Sequence, residues 1–374
     1  MDWTVLRQQF PVARRWAYLD HAAVCPIPTP AVAAMTRYAA EVADGGLDGW
    51  RGWSDRLADV RRLAARLVNA PAVDDICFVP NTTAGIGLIA EGFPWRPGDN
   101  VVLAAEEYPS NQYPWLNLAD RGVTVRTVPS RGNRIEIDDL RAAMDDRTRV
   151  LAASFVQYAS GFRADLDALG NLCRERDVFF FVDAIQGLGA LPLDVQRSGI
   201  DALAADSHKW LLGPEGAGIA YVRRDWVERL HPIGVGAHSV VQGFDYGTIR
   251  LDLKPHAGRY EGGAVNVGGL LAMGESFRLL LDAGPAAVAD RVLALTDELC
   301  DRAASAGLTV FSSRAVNDRS GIVSLESPGR DPKAIQQRCR DAGVMVNVRA
   351  GRLRVSPHCY NTSDDLARFL DAVR

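Results

Sequence analysis

Paired cysteines are the first thing the 374-residue sequence lacks: its six cysteines, at 25, 77, 173, 300, 339 and 359, are scattered with no CxxC. Neither a zinc site nor a disulfide framework is indicated, and most of the six read as small buried hydrophobes. A basic stripe or polybasic run is also missing. Acids and bases are interspersed around a formal charge of −4, which argues against nucleic acid or a membrane surface as partner. No uninterrupted apolar run reaches the length of a membrane span, and Met1-Asp2-Trp3-Thr4 has neither the basic nor the apolar region of a signal peptide. The cytoplasm is therefore the expected compartment. There is no internal repeat and no low-complexity tract. What remains is a 48% hydrophobic chain of mean hydropathy −0.05, long enough for a large domain and a smaller companion that fold without staples.

Along the chain, residues 3–10 space as a short amphipathic helix, Pro11 breaks it, and 17–20 reads as extended. Residues 29–69 are mostly helical, with 55–64 burying one face. From residue 76 the pattern changes to short apolar runs at 76–79, 101–104, 123–125, 150–153, 178–182 and 218–222. They are apolar on both faces and alternate with helical stretches, which predicts an α/β fold with a parallel-dominated sheet covered on both sides. Ligands in such sheets sit beyond the carboxyl ends of strands. After residue 266 come two long helices, the second with Pro285 in its first turn, and then a small α+β unit. Its strands fall near 308–311, 322–325, 344–348 and 353–355, and Thr362 starts a closing helix over 363–373. The large domain is expected at 18–265 and the small one at 266–374, with residues 1–17 packing against the latter.

The chemistry gathers at Asp206-Ser207-His208-Lys209-Trp210. A lysine right after a buried apolar strand (201–205) and right before a glycine-rich turn (213–218) is oddly sited for a structural cation, because a desolvated ammonium must be paired or chemically used. That placement suits a Schiff-base lysine. Asp183, ending the preceding strand, can hold a cationic pyridinium nitrogen, the partner pyridoxal phosphate needs to act as an electron sink. Asn81-Thr82-Thr83-Ala84-Gly85 follows a strand and opens a helix, aiming hydroxyls and N–H groups where a helix N-terminus holds a phosphate. The alternative there is a plain N-cap, and Thr83 could be both. Arg354, between Leu353 and Val355, suits a substrate α-carboxylate as a planar two-pronged cation; the alternative is a structural ion pair.

These stretches, N-T-T (81–83), E-Y-P-S-N (107–111), V-D-A-I-Q (182–186), S-H-K-W (207–210) and R-L-R-V-S (352–356), stand in an order that resembles the class V, fold-type I aminotransferase superfamily. That superfamily includes cysteine desulfurases, C–S lyases, kynureninases and an epimerase branch, and the resemblance covers nearly the whole chain. It implies pyridoxal 5'-phosphate on Lys209, with Thr83 holding the phosphate beside Thr82, Ser207 and His208. It implies that Tyr108, where desulfurases carry a histidine, stacks on the ring, unless it is an ordinary half-buried loop aromatic. Gln186 would stand near the ring's phenolic oxygen and Gln157 would contact that oxygen or the substrate, their amides tuning the cofactor without adding charge. His21-Ala22-Ala23 corresponds to a loop at the site mouth, making His21 a substrate-binding candidate or else a residue of an ordinary turn. A homodimer is implied, with Arg259 and Asn266 near the shared interface. Two positions depart from the pattern: Asp206 stands where a serine or another small residue is usual, and Ala264 replaces a threonine that often reaches the partner subunit's phosphate. Ser207 gains weight accordingly.

Persulfide-forming relatives carry a nucleophilic cysteine on a mobile loop before the substrate arginine, whereas here 346–352 runs almost directly into Arg354 without one. Cys359, with only His358 beside it to lower its thiol pKa, reads as structural. The expected activity is a C–S lyase or desulfurase-like β-elimination on a small amino acid bound to the cofactor as a Schiff base, with Lys209 as acid/base. An epimerase or aminotransferase is the runner-up, and a catalytically inactive fold relative is the rival from another class.

Overall fold

The computed structural model describes residues 2–245 and 247–374. In chain order the strands are β1 (Ala17–Tyr18), β2 (Ile76–Val79), β3 (Asn100–Ala104), β4 (Thr124–Val128), β5 (Thr148–Ser154), β6 (Phe179–Asp183), β7 (Ala202–Asp206) and β8 (Gly218–Val222). They continue with β9 (Thr309–Val310), β10 (Val323–Glu326), β11 (Val344–Met345), β12 (Asn347–Arg349) and β13 (Arg352–Val355). Strands β2 to β8 form one sheet in the order β2-β8-β7-β6-β5-β3-β4. The neighbours from β4 to β7 are parallel, and β8 runs antiparallel to both β7 and β2. This is the parallel-dominated α/β sheet that the apolar runs predict.

Why those runs are apolar throughout is visible in the alternation of their side chains. Val102, Leu151, Phe180, Leu203 and Ile219 enter the core on one face. Leu103, Ala152, Phe181, Ala204 and Ala220 enter the core on the other. Each strand must satisfy two cores with one two-residue period, and a fully buried Phe or Leu contributes about 1.5–3 kcal/mol on either side.

The smaller unit is an antiparallel sheet, β12-β13-β10-β9, packed with Leu295, Leu299, Phe369 and Leu370. The Ser363–Val373 helix starts on a capping box of Thr362 and Asp365. β1 pairs in parallel with β11, Ala17 against Val344, and Ala17 and Leu19 lie in the small core. Conversely, the Val267–Ala283 helix buries Leu270, Met273 and Phe277 in the large core. The Pro285–Ala303 helix is shared, Val288 and Val292 facing the large core and Leu295 and Leu299 the small one. Periodicity reveals that a helix has an apolar face but not which core that face meets.

Candidate active site

Three adjacent parallel strands end in Ser154, Asp183 and Asp206, with Ser154 and Asp183 in register. Lys209 follows in a tight turn in which Leu212 N–H donates to the Lys209 carbonyl at 3.2 Å. Leu212 itself holds a left-handed φ of 59°, an unfavourable conformation for a branched side chain that the surrounding packing imposes. Lys209 and Asp183 are both buried. Burial brings the Lys209 amine down to about 8; Asp183 and Asp206 oppose this, while Arg354 and Arg349 reinforce it. Burial lifts the Asp183 carboxyl to about 7, helped by the negative charge of Glu107 and opposed by the Ile185 N–H and Lys209. Lys209 Nζ lies 5.4 Å from the centroid of the Tyr108 ring, which is 41% exposed and meets Tyr158 edge-on at 5.1 Å.

Glu107 is the residue the sequence reading missed. It is buried, and its carboxylate accepts Ser154 N–H at 2.8 Å, Asn111 Nδ2 at 3.0 Å, Gln157 Nε2 at 2.8 Å and the Ser154 hydroxyl. The signal was the one used for Lys209, a charged residue just past a buried strand. The bond to Glu107 turns Gln157 Oε1 the other way, where it is buried and unpartnered among the described residues. Gln186 is largely engaged elsewhere. Its Oε1 accepts Trp210 Nε1 at 3.0 Å and its amide donates to the Ala22 carbonyl at 3.0 Å, leaving one N–H free.

Next to these strand ends lies the start of the Thr82–Gly92 helix. It approaches β7 closely because Gly85 has no side chain: a Cβ there would stand 2.5 Å from the Ala204 Cβ. The N-cap is Asn81, whose Oδ1 accepts Ala84 N–H at 2.8 Å. Thr83 is therefore within the first turn, and its hydroxyl donates to Ser110 Oγ at 2.8 Å. Thr82 Oγ1 accepts the Asp206 N–H at 2.9 Å, while the N–H groups of Thr82 and Thr83 have no partner among the described residues. Ser207 corrects an expectation. Its hydroxyl is buried and donates to the Pro214 carbonyl at 2.7 Å, so it braces the turn and does not face an anion. His208 Nδ1 lies 3.0 Å from Asp206 Oδ2. Ala264 lines a hollow with Pro80, Gly216 and Asn266.

The opposite wall comes from the small unit. Arg354 is 1% exposed; it donates to the Tyr158 carbonyl at 3.1 Å and stands 3.4 Å from Asp20 Oδ1. Asn347 donates to the other Asp20 oxygen at 2.9 Å and accepts from Arg349 at 2.8 Å. The ion-pair alternative for Arg354 is thus present, at a stretched distance a carboxylate ligand could compete for. His21 is placed otherwise than expected. It is fully buried, with its ring nitrogens on the Ser356 carbonyl and the Tyr360 hydroxyl, both at 2.9 Å, and burial holds it neutral, well below the usual histidine range. It pins the N-terminal segment to the small unit. Arg259 donates inward to the Val227 carbonyl, and Asn266 caps a helix through Gly269 N–H.

Before Arg354 the chain makes a tight hairpin. Arg349 and Arg352 face each other in the ladder, joined only by Ala350 and Gly351, both at positive φ, as a two-residue turn of this hand requires. Cys359 is buried with its thiol pushed up to about 12 by burial. All six cysteines are free, and among the described residues no cluster of His, Cys, Asp and Glu could hold a metal.

The residue types fit one group. An acid for a protonated ring nitrogen, an amine for an aldehyde, an aromatic face and a helix start with free N–H groups are what pyridoxal phosphate requires. Gln157 Oε1 and Arg354 Nε are buried without partners among the described residues, which leaves both open to a ligand. The fold and site define a pyridoxal phosphate-dependent enzyme. Residues 17–369 match Aminotransferase class-V, and the chain belongs to that family. It is 29% identical to a probable cysteine desulfurase of Methanothermobacter thermautotrophicus, over 96% of this chain and 94% of the relative. The apo cysteine desulfurase of Thermococcus onnurineus superposes with a TM-score of 0.91 at 22% identity, over 98% and 96% of the two chains. A cystine C–S lyase in complex with its product, cysteine persulfide, gives 0.91 at 21%, over 98% and 99%. No helix of the described residues is long and apolar enough to cross a membrane.

Proposed function

We propose that this enzyme is a C–S lyase, or desulfurase-like β-eliminating enzyme, that acts on a small sulfur-containing amino acid without a persulfide-forming cysteine. The β12–β13 hairpin carries the reading: its two-residue turn leaves no loop that could bring a thiol to the substrate. Cys359 is no substitute, because its thiol is buried and held protonated, and a protonated thiol is a poor nucleophile. Similarity to a cystine C–S lyase supports the same reading.

Pyridoxal phosphate, when bound, supplies the electron sink that makes the substrate's α-proton removable. Lys209 takes that proton; with its amine near 8 it can accept and return protons close to neutral pH. Asp183 holds the ring nitrogen, Tyr108 covers a ring face, and Gln157 and the free N–H of Gln186 border the ring oxygen. Thr82, Thr83 and His208 surround the phosphate. Arg354 exchanges Asp20 for the substrate carboxylate. The leaving sulfur departs with its bonding electrons and is protonated.

The test is to supply cysteine and cystine without added thiol and follow pyruvate and sulfur release. Pyruvate should form with both sulfur products free in solution, and Cys359→Ser should keep most of the turnover. A persulfide trapped on Cys359, or turnover lost in Cys359→Ser with its fold and visible band intact, would overturn the assignment. We also read the protein as a homodimer. Leu47, Trp50, Val241, Phe244, Ile249 and Leu251 are large apolar side chains left exposed, Ile249 by 88%, and such surfaces favour self-association. Sedimentation showing an active monomer would contradict this. The six free cysteines, five of them buried, suit the cytoplasm.

A further inference from the structure

We propose that Asp206 is a positioning residue that acts through His208, so that in this chain a carboxylate and an imidazole together do what a single hydroxyl would otherwise do for the cofactor phosphate. The inference rests on the cofactor reading above and asks how that phosphate is held.

The hydroxyl supply at this end of the cleft is thin. Ser207 donates to the Pro214 carbonyl and Thr83 to Ser110. What faces outward is the start of an eleven-residue helix with two free N–H groups, which favours an anion. Asp206 lies against that helix start, its own N–H bonded to Thr82 Oγ1, and it is 3% exposed with Oδ1 unpartnered. A bare buried carboxylate at this point would repel a phosphate dianion and would be strained by its own desolvation.

His208 resolves the conflict. Its Nδ1 is 3.0 Å from Asp206 Oδ2, and Nε2, on the far edge of the ring, has no protein partner among the described residues. Nδ1 is buried without an aligned partner of its own, so ring and carboxylate both gain when they are drawn into line. With an anion at Nε2 the ring stands between carboxylate and phosphate, and the acid that would have repelled the phosphate instead orients the ring toward it. The arrangement explains why an acid is tolerated three residues before Lys209.

The test compares pyridoxal phosphate with pyridoxal, which lacks only the phosphate, on the apoprotein of wild type, Asp206→Ala, Asp206→Asn, His208→Ala and the Asp206→Ala/His208→Ala double variant. Dissociation constants are read by fluorescence quenching. Asp206→Ala and His208→Ala should each weaken pyridoxal phosphate at least tenfold while pyridoxal changes less than twofold. Asp206→Asn should lose less, and the double variant no more than His208→Ala alone. The proposal is overturned if Asp206→Ala binds pyridoxal phosphate as tightly as wild type or tighter, which would make the acid purely repulsive. It is equally overturned if both ligands weaken together, the mark of a structural role, or if the two single losses add. Should Asp206→Ala fail to fold, Asp206→Asn against His208→Ala decides by the same ratio. A wild type that binds neither ligand would instead refute the cofactor reading beneath it.

Discussion

The two walls of the cleft hold their buried acid and base by different means. On the large-unit wall, Asp183 and Lys209 have no close ion-pair partner among the described residues, and burial draws each toward its neutral form, to about 7 and about 8. On the small-unit wall burial also pushes the Asp20 carboxyl up and the Arg354 guanidinium down, but their pairing opposes both shifts, and Asn347 ties Asp20 to Arg349. Groups poised near neutrality exchange protons, whereas a paired cation keeps its charge and can trade one carboxylate for another. Chemistry thus belongs to the first wall and recognition to the second.

The sharpest way to break that division is Lys209→Ala, which should abolish the visible band of the loaded enzyme and all measurable turnover. Lys209, Lys254 and Lys333 are the only lysines in the sequence, so borohydride labelling and peptide mapping can assign the attachment without ambiguity. Next is Asp183→Asn, expected to lower kcat/KM by about 100-fold or more, roughly 2.7 kcal/mol of transition-state stabilisation. The apoprotein should show the opposite effect. Because the folded carboxyl has a raised affinity for protons, its protonated form contributes stability that is fully present below about pH 4 and lost as pH rises through 7. Asp183→Asn lacks that loss, so its advantage in unfolding free energy, followed by thermal unfolding, should grow across this window by at most about 4 kcal/mol. An advantage that shrank with pH would contradict the assignment.

Arg354→Ala should act on recognition, raising KM about 10- to 100-fold with a smaller change in kcat, in line with about 1.5–3 kcal/mol for a charge-assisted contact. A loss confined to kcat would move Arg354 to the chemical wall. The smallest effect on activity is expected from His21→Ala, which faces neither wall. Its two buried hydrogen bonds should appear as a stability loss of about 1–3 kcal/mol in thermal unfolding, with kinetics of the folded enzyme nearly unchanged.

Much of this was legible in the chain. Uninterrupted apolar runs announce strands buried on both faces, and a charged residue just beyond such a run stands at a strand end, where α/β sheets bind ligands; Lys209 and Asp183 could be read this way. Glu107 obeys the same rule, just past the end of β3. Other features had no local signal. Ser207 turns its hydroxyl to Pro214, Gln186 divides itself between Trp210 and Ala22, and His21 meets Tyr360 across 339 positions of sequence. Hydrogen-bond direction and burial depend on which surfaces pack together, and the helices shared between the two cores show that periodicity does not say which surfaces those are. Composition and spacing determined the sheet, the order of its strand ends and the chemical kinds gathered there; only the tertiary structure decided which of those groups face the cleft and which are bound into the fold, because a side chain's partners come from distant segments that meet only on folding.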